Sequence, residues 1–205
     1  MPTPSQIQPN FGAENFKIHV FGHDSSQGLA VADAFGGVYG EQVSAECDLA
    51  IFVIDPSQGI DPQTIADWEG LDASMVPRLI AVTGMENPQA DFDDAVMLAN
   101  RVFAQTLTPY LVLHGDDGVA CALIRLEDMK ILNYKNFPPE IEESEEEHHT
   151  LVAEFRAEYL DALEVMGAEA FPAGMLFPAV PIWLEKKIGL DIISTYIQQL
   201  LDSRI

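Results

Sequence analysis

The sequence predicts an α/β domain with a mostly parallel sheet flanked by helices, interrupted by a small α+β insertion. Three observations carry that expectation. Short apolar, β-rich runs alternate with amphipathic helical segments through the first half of the chain. The central run, Leu49 to Ile54, is unbroken apolar between Asp48 and Asp55, as in a strand buried on both faces, which implies parallel pairing. The alternation then breaks after about residue 109, where two strand-like runs meet at Gly115-Asp-Asp-Gly118, a hairpin-type turn composition.

Each element has its own local reason. Lys17 to Phe21 is a short β-branched and aromatic run ending at Gly22, and Ser26 to Phe35 carries Leu29, Ala30 and Ala34 at helical spacing. After the second strand, Pro56-Ser-Gln-Gly59 makes a turn. Asp61-Pro62 then opens a helix through about Ala73, with Asp as N-cap and Pro at the first helical position. A third strand is expected at Arg78 to Val82. A helix capped by Asp91 follows, with Phe92, Val96, Ala99 and Phe103 on one face. Tyr110 to Leu113 and Val119 to Leu126 form the hairpin. Ser144 to Gly167 reads as one long helix presenting Val152, Phe155, Tyr159, Leu163 and Met166, ended by Gly167. A strand near Met175 to Val180 and a helix from Leu190 to about Leu201, with Ile193, Ile197 and Leu200 inward, close the chain. The expected organisation is a loose leader at 1–15, an α/β domain at 16–108 and 168–205, and an inserted acidic subdomain at 109–167.

Composition narrows the function classes. The 205 residues hold 10 Lys+Arg against 33 Asp+Glu, a net charge of −23, yet 48% of them are hydrophobic. That apolar fraction is ordinary for a globular chain, so the acid belongs on a folded surface. Such a field repels phosphate backbones and argues against direct nucleic-acid binding. The longest apolar stretch, about Gly167 to Leu184, is broken by Glu169, Pro172, Pro178 and Pro181, so no membrane span is expected. The N-terminus lacks a signal pattern. Cys47 and Cys121 are too few for a disulfide scaffold and read as buried small hydrophobes in a reducing, cytoplasmic setting.

The stretch Ala45-Glu-Cys-Asp-Leu-Ala-Ile-Phe-Val-Ile-Asp-Pro-Ser-Gln-Gly-Ile-Asp-Pro-Gln-Thr64, with Trp68, Val76-Pro77-Arg78 and Ala90-Asp91-Phe92, resembles the nucleotide-binding domain of elongation factor G and related translational GTPases. Gly22-His23 stands where that family's phosphate loop starts. Gly118 to Tyr134, with Leu126-Glu-Asp-Met-Lys130, resembles its inserted subdomain. The resemblance implies a P-loop GTPase fold, here truncated. Ile205 falls where that domain would end, so the family's later, RNA-engaging domains are expected to be absent.

The departures from the family pattern decide the functional expectation. A working phosphate loop reads G-x-x-x-x-G-K-[ST]: backbone N–H groups cradle phosphates, the Lys meets the β/γ charge and the hydroxyl holds Mg²⁺. Here the loop is Gly22-His23-Asp24-Ser25-Ser26-Gln27-Gly28-Leu29. Gly28 takes the Lys position, Leu29 the hydroxyl position, and Asp24 adds a negative charge. The base-reading Asn-Lys-x-Asp motif falls on Thr83-Gly84-Met85-Glu86, and the closing Ser-Ala-Leu on Trp183-Leu184-Glu185, which sets an indole at the base pocket. The gap between Phe35 and Ala45 is too short for both switch segments. No GTP, Mg²⁺ or other cofactor is therefore expected, although a helix N-terminus can hold an anion without Lys. The plainer reading of the loop is a remnant in which Asp24 or Ser25 caps the following helix.

Three further features bear on function. Ser26 before a helix, with Asp117 downstream, resembles an α/β-hydrolase elbow, but Asp24 stands where G-x-S-x-G needs Gly. The histidines after Asp117 are His148 and His149. Adjacent helical residues do not converge on a metal, so these two are expected to be solvated. Six of the eight residues from Glu140 to Glu147 are Glu. In the family, acidic helices of the insert meet a lysine-rich face of the ribosomal stalk protein. Glu142, Glu143, Glu146 and Glu147 are thus the expected docking residues for a basic protein surface. The sequence reads as a non-catalytic, GTPase-like interaction module in translation. The alternatives are a divergent GTP-binding protein with weak hydrolysis and a hydrolase.

Overall fold

The computed structural model describes residues 16–24, 26–40, 43, 46–87, 90–167 and 169–204; the expected leader lies outside them. A six-stranded parallel sheet has the order β2-β1-β3-β4-β10-β5. Its strands are β1 (Ile18–Gly22), β2 (Val38–Tyr39), β3 (Leu49–Ile54), β4 (Arg78–Val82), β5 (Thr106–Leu107) and β10 (Phe177–Pro181). Helices α1 (Gly28–Phe35), α2 (Pro62–Gly70), α3 (Phe92–Val102) and α6 (Leu190–Asp202) flank it. A four-stranded antiparallel sheet, in sequential order, holds β6 (Tyr110–His114), β7 (Ala120–Arg125), β8 (Lys130–Asn133) and β9 (Glu140–Glu143). Helices α4 (Glu146–Leu151) and α5 (Ala153–Met166) follow it.

The unbroken apolar run of β3 is explained by its two faces. Leu49, Ile51 and Val53 pack with Val31 and Phe35 of α1 and Ile193 and Ile197 of α6. Ala50, Phe52 and Ile54 pack with Trp68 of α2 and Phe92, Ala95 and Ala99 of α3. Alternation is therefore present in direction and absent in polarity. The second face is rich in rings: Trp68 stacks on Phe103 at 4.4 Å between centroids and meets Phe52 edge-on at 4.8 Å. Arg78 is buried with them, its guanidinium 4.5 Å from both the Trp68 and Phe177 rings. Its Nη1 donates to the Trp68 carbonyl at 3.0 Å and to Asp72 at 2.6 Å.

Several sequence expectations are corrected. The helix expected from Ser26 begins at Gly28, and Asp24 does not cap it. Its N-cap is Gln27, in the left-handed conformation (φ 64°) and without a side-chain capping bond; Ser25 lies outside the described residues. The Phe35-to-Ala45 gap holds a two-residue edge strand, β2, parallel to β1. The single helix expected over 144–167 is two, broken at Val152, and Glu140–Glu143 is a strand. Lys130 pairs with Glu143 and the Asn133 amide donates to Glu142 at 2.9 Å. These cross-strand partners satisfy carboxylates that would crowd one another on a helix start. On α5, Tyr159 is buried and Leu163 packs against the core, but Phe155 and Met166 are exposed. Cys121 is also exposed, on an outward position of β7, whereas Cys47 is buried.

Candidate functional site

The loops that follow β1, β3, β4 and β10 gather at the carboxyl edge of the parallel sheet, where open α/β sheets place their ligand crevices. The first of them is the Gly22–Leu29 loop, the one expected to be a degenerate phosphate loop. Gly22 leaves β1 with φ 151°, and a Cβ there would lie 2.5 Å from the Val53 carbonyl oxygen and 2.8 Å from Ser26 Oγ. Only glycine fits. His23 and Asp24 form the bend. The Ser26 N–H donates to the His23 carbonyl at 2.8 Å and the Ser26 hydroxyl to the same oxygen at 2.6 Å. That N–H is thus turned inward, away from any phosphate. The same bond commits the Ser26 hydroxyl, fully buried, to its own loop, and His148 on α4 receives the Glu145 N–H at 3.2 Å. The hydrolase elbow reading gains no geometry from this arrangement.

The most informative contact involves Tyr39, a residue the sequence reading did not single out. Its ring covers Gly28, the position at which the family carries Lys. A Cβ built on Gly28 would overlap that ring, with Cδ2 at 2.7 Å and Cζ at 2.9 Å. The Tyr39 hydroxyl donates to the Gly22 carbonyl at 3.0 Å and lies 3.5 Å from an Asp24 carboxylate oxygen. Burial, reinforced by the charges of Asp24 and Asp61, holds the phenol above its usual range. Tyr39 therefore stays protonated and spans the loop from Gly22 to Gly28. The signal available in the sequence was a Val-Tyr pair of β-formers framed by Gly36, Gly37 and Gly40. Leu29, at the hydroxyl position, is exposed on α1.

The segment 83–86, expected at the base-reading position, is tied to this loop. The buried Thr83 hydroxyl lies 3.0 Å from the Ser26 carbonyl oxygen and 3.4 Å from that of Ile54. Gln27 Nε2 donates to Glu86 at 2.8 Å, so the carboxylate that could accept from a purine edge already has a donor. Gly84 sits at φ 84°, where a Cβ would lie 3.0 Å from Asp55; a Lys in its place would be strained whatever its rotamer. Trp183 is half-buried at the edge of both core faces, its indole N–H donating to Glu185 at 2.9 Å and the Lys186 ammonium 4.0 Å above its ring.

Beside the loop, between β2 and the start of α2, opens a cavity of about 780 Å³. Asp24, Asp61 and Asp67 line it together with His23, Tyr39 and Thr64. Asp61 is the predicted N-cap of α2, accepting from the N–H groups of Gln63 at 2.8 Å and Thr64 at 3.0 Å and from the Thr64 hydroxyl at 2.7 Å. Burial works against its ionisation, but these bonds and nearby His23 outweigh it and hold the carboxyl below its usual range. The cavity wall is thus anionic, which disfavours a triphosphate.

The four expected docking glutamates are exposed but do not share a helix. Glu142 and Glu143 lie on edge strand β9, and Glu146 and Glu147 in the first turn of α4. Glu143 is answered by Lys130, and α4 is capped reciprocally by Glu145 and His148. No helix among the described residues is long and apolar enough to cross a membrane.

No protein-family model matches the chain. It is 34% identical over 80 residues to mitochondrial ribosome-releasing factor 2 of Drosophila sechellia, a match that takes in 38% of this chain and 12% of that factor. A crystal structure of a Thermus thermophilus protein superposes with a TM-score of 0.63 at 21% identity, covering 74% of this chain and 26% of that one; this likeness shows the fold. Through those 80 residues the chain is distantly related to that ribosome-releasing factor, of whose length it spans about an eighth.

Proposed function

We propose that this domain is a pseudo-GTPase: a GTPase-like scaffold that neither holds nor hydrolyses nucleotide and acts by docking a basic protein partner. The observation that carries the reading is the Tyr39 ring over Gly28, bonded at its far end to Gly22. The space that a phosphate-binding lysine would need is filled by protein, and the adjoining cavity is walled by aspartates. Binding of a triphosphate here would require ejecting Tyr39 and overcoming that field without a cation in the loop.

The positive half of the reading rests on charge. With a net charge of −23 and the exposed β9–α4 carboxylates, a lysine-rich surface is the complementary partner, and the relation to a ribosome-releasing factor directs the search to the translation machinery, its ribosomal stalk first. Capture of translation components by the immobilised chain, compared with a variant carrying Gln at Glu142, Glu143, Glu146 and Glu147, tests it. The expected result is capture that weakens in the variant and with added salt; capture unaffected by both would remove the docking surface from the account.

A rival reading keeps the chain as a divergent GTP-binding protein. It is favoured by the glycine loop running into the N-terminus of α1, where free N–H groups and the helix dipole suit an anion. The inward turn of the Ser26 N–H weighs against it.

A further inference from the structure

A second cavity, about 490 Å³, lies at the join between the antiparallel insert and α6. Three tyrosines reach it from three elements: Tyr110 from β6, Tyr159 from α5 and Tyr196 from α6. Tyr159 is 9% exposed, and among the described residues its hydroxyl has no hydrogen-bond partner. Phe171 meets Tyr196 edge-on at 4.7 Å and completes an aromatic wall.

The charges at the mouth give the cavity a sign. Arg125 lines it, but its Nε and Nη2 are held by Asp128 at 2.8 and 2.6 Å, so that cation is already answered. Glu127 and Glu164 also line it, and neither carboxylate has an ion-pair partner among the described residues. The phenols report the same field. Burial, then the Glu127 charge, pushes Tyr159 up to about 12, and burial raises Tyr110 even with Arg125 beside it. Arg125 also lies against the Tyr110 phenol and bonds it, so the acceptor left open is the Tyr159 hydroxyl; with the aromatic faces and the two unanswered carboxylates it has the chemistry of a cation receptor. An anion would have to pass both glutamates and take Arg125 from Asp128.

The cavity also continues. A groove of about 460 Å³ on the other side of α5 shares Leu107 and Tyr159 with it and is lined by the exposed Met97 and Phe155. The groove also holds Asp93 and Glu158, so the two stretches along α5 share an acidic rim, with the exposed Met97 and Phe155 as the apolar contact of the second. We propose that the trough they form binds a segment of a basic partner polypeptide, seating one lysine or arginine side chain among Tyr110, Tyr159 and Tyr196 and an apolar side chain between Met97 and Phe155. The inference rests on the docking reading above for its partner, but not for its site.

The test uses the full chain with ¹³C-labelled tyrosine rings, titrated with N-acetyl-arginine methylamide, N-acetyl-lysine methylamide, their norleucine analogue as the uncharged control, and a short Arg/Leu peptide. Expected are saturable shifts of Tyr110, Tyr159 and Tyr196 at millimolar Arg or Lys probe, and at least about tenfold tighter binding of the peptide because its two anchors are linked. Binding should weaken severalfold in Glu127→Gln with Glu164→Gln. It should fall further in Tyr159→Ala than in Tyr159→Phe, which keeps the ring and the fold. Equal shifts with norleucine, shifts driven by phosphate, or none with any probe would overturn the proposal. A single amino acid binding as tightly as the peptide would overturn the polypeptide as its source. The Gln variant at Glu142, Glu143, Glu146 and Glu147 keeps the cavity, so partner capture undiminished in it, with the tyrosine shifts intact, condemns only the β9–α4 surface. Intact capture with a silent cavity condemns only the trough.

Discussion

Substituting Gly28 probes directly whether Tyr39 occupies the lysine space. Alanine at Gly28 adds one methyl group, which would sit inside the Tyr39 ring. The ring cannot swing away without giving up its hydrogen bond to the Gly22 carbonyl, worth about 0.5–1.5 kcal/mol net, and overpacking of this kind costs about 1–3 kcal/mol. Against this, Ala is about 1 kcal/mol better than Gly inside a helix, and Gly28 is the first residue of α1. The net expectation is a loss of about 1–3 kcal/mol, or roughly 2–12 °C in Tm for a chain of this size. In a Tyr39→Ala background the collision is absent, and Gly28→Ala should become neutral or mildly stabilising. A double-mutant cycle by urea unfolding therefore has a coupling energy of about 1–4 kcal/mol. An equal effect of Gly28→Ala in both backgrounds would show that the ring does not rest on Gly28, and the account of a filled lysine site would fail with it.

Four further outcomes are expected. Gly28→Lys combined with Tyr39→Ala should still show no GTP-dependent thermal shift, because Leu29, Gly84 and the aspartate-lined cavity remain; a Mg²⁺·GTP shift in that variant would mean a latent pocket survives. Arg78→Ala should cost about 3 kcal/mol through lost ring contacts and a charged hydrogen bond, whereas Asp72→Asn, on the exposed partner, should cost less than about 1 kcal/mol by denaturant titration. Burial raises the Asp191 carboxyl above its ordinary 3.8, although Tyr134 donates to it at 2.7 Å. A raised folded-state pKa means that stability is full below the unfolded value and declines as pH rises through the folded one. Asp191→Asn should therefore gain on the parent chain from about pH 4 upward, and a constant difference across pH would contradict the shift. Finally, a thiol reagent at neutral pH should modify one cysteine in the native chain and two in denaturant. Cys121 is exposed, while burial pushes Cys47 up to about 11, and it is the accessible thiolate that reacts.

How much of this was legible depended on how local the governing forces are. The parallel core could be read because Leu49 to Ile54 needs apolar partners on both faces, and the Asp61 and Asp91 caps because capping is a matter of adjacent residues. The β9 strand could not. Glu140 to Glu143 has a helix-forming composition, and what makes it a strand is Lys130 and Asn133 standing opposite. Exposed Cys121 followed the same rule, since a strand position faces inward or outward according to register. In the candidate site, the absent lysine was visible in Gly28 but its replacement was not. Tyr39 acts through a strand of two residues whose pairing with β1 is set by the tertiary fold. The tyrosine cavity was equally hidden, because its three rings are distant in sequence and meet only where the insert joins α6.

The measurement closest to the central claim is titration calorimetry of GTP, GDP and ATP, each with Mg²⁺, against the purified chain. The expected result is no heat of binding up to hundreds of micromolar, that is, a binding free energy weaker than about −5 kcal/mol. Micromolar binding of any of the three would contradict it: Tyr39 would then have to leave Gly28 on binding, and the chain would return to the GTP-binding proteins it resembles.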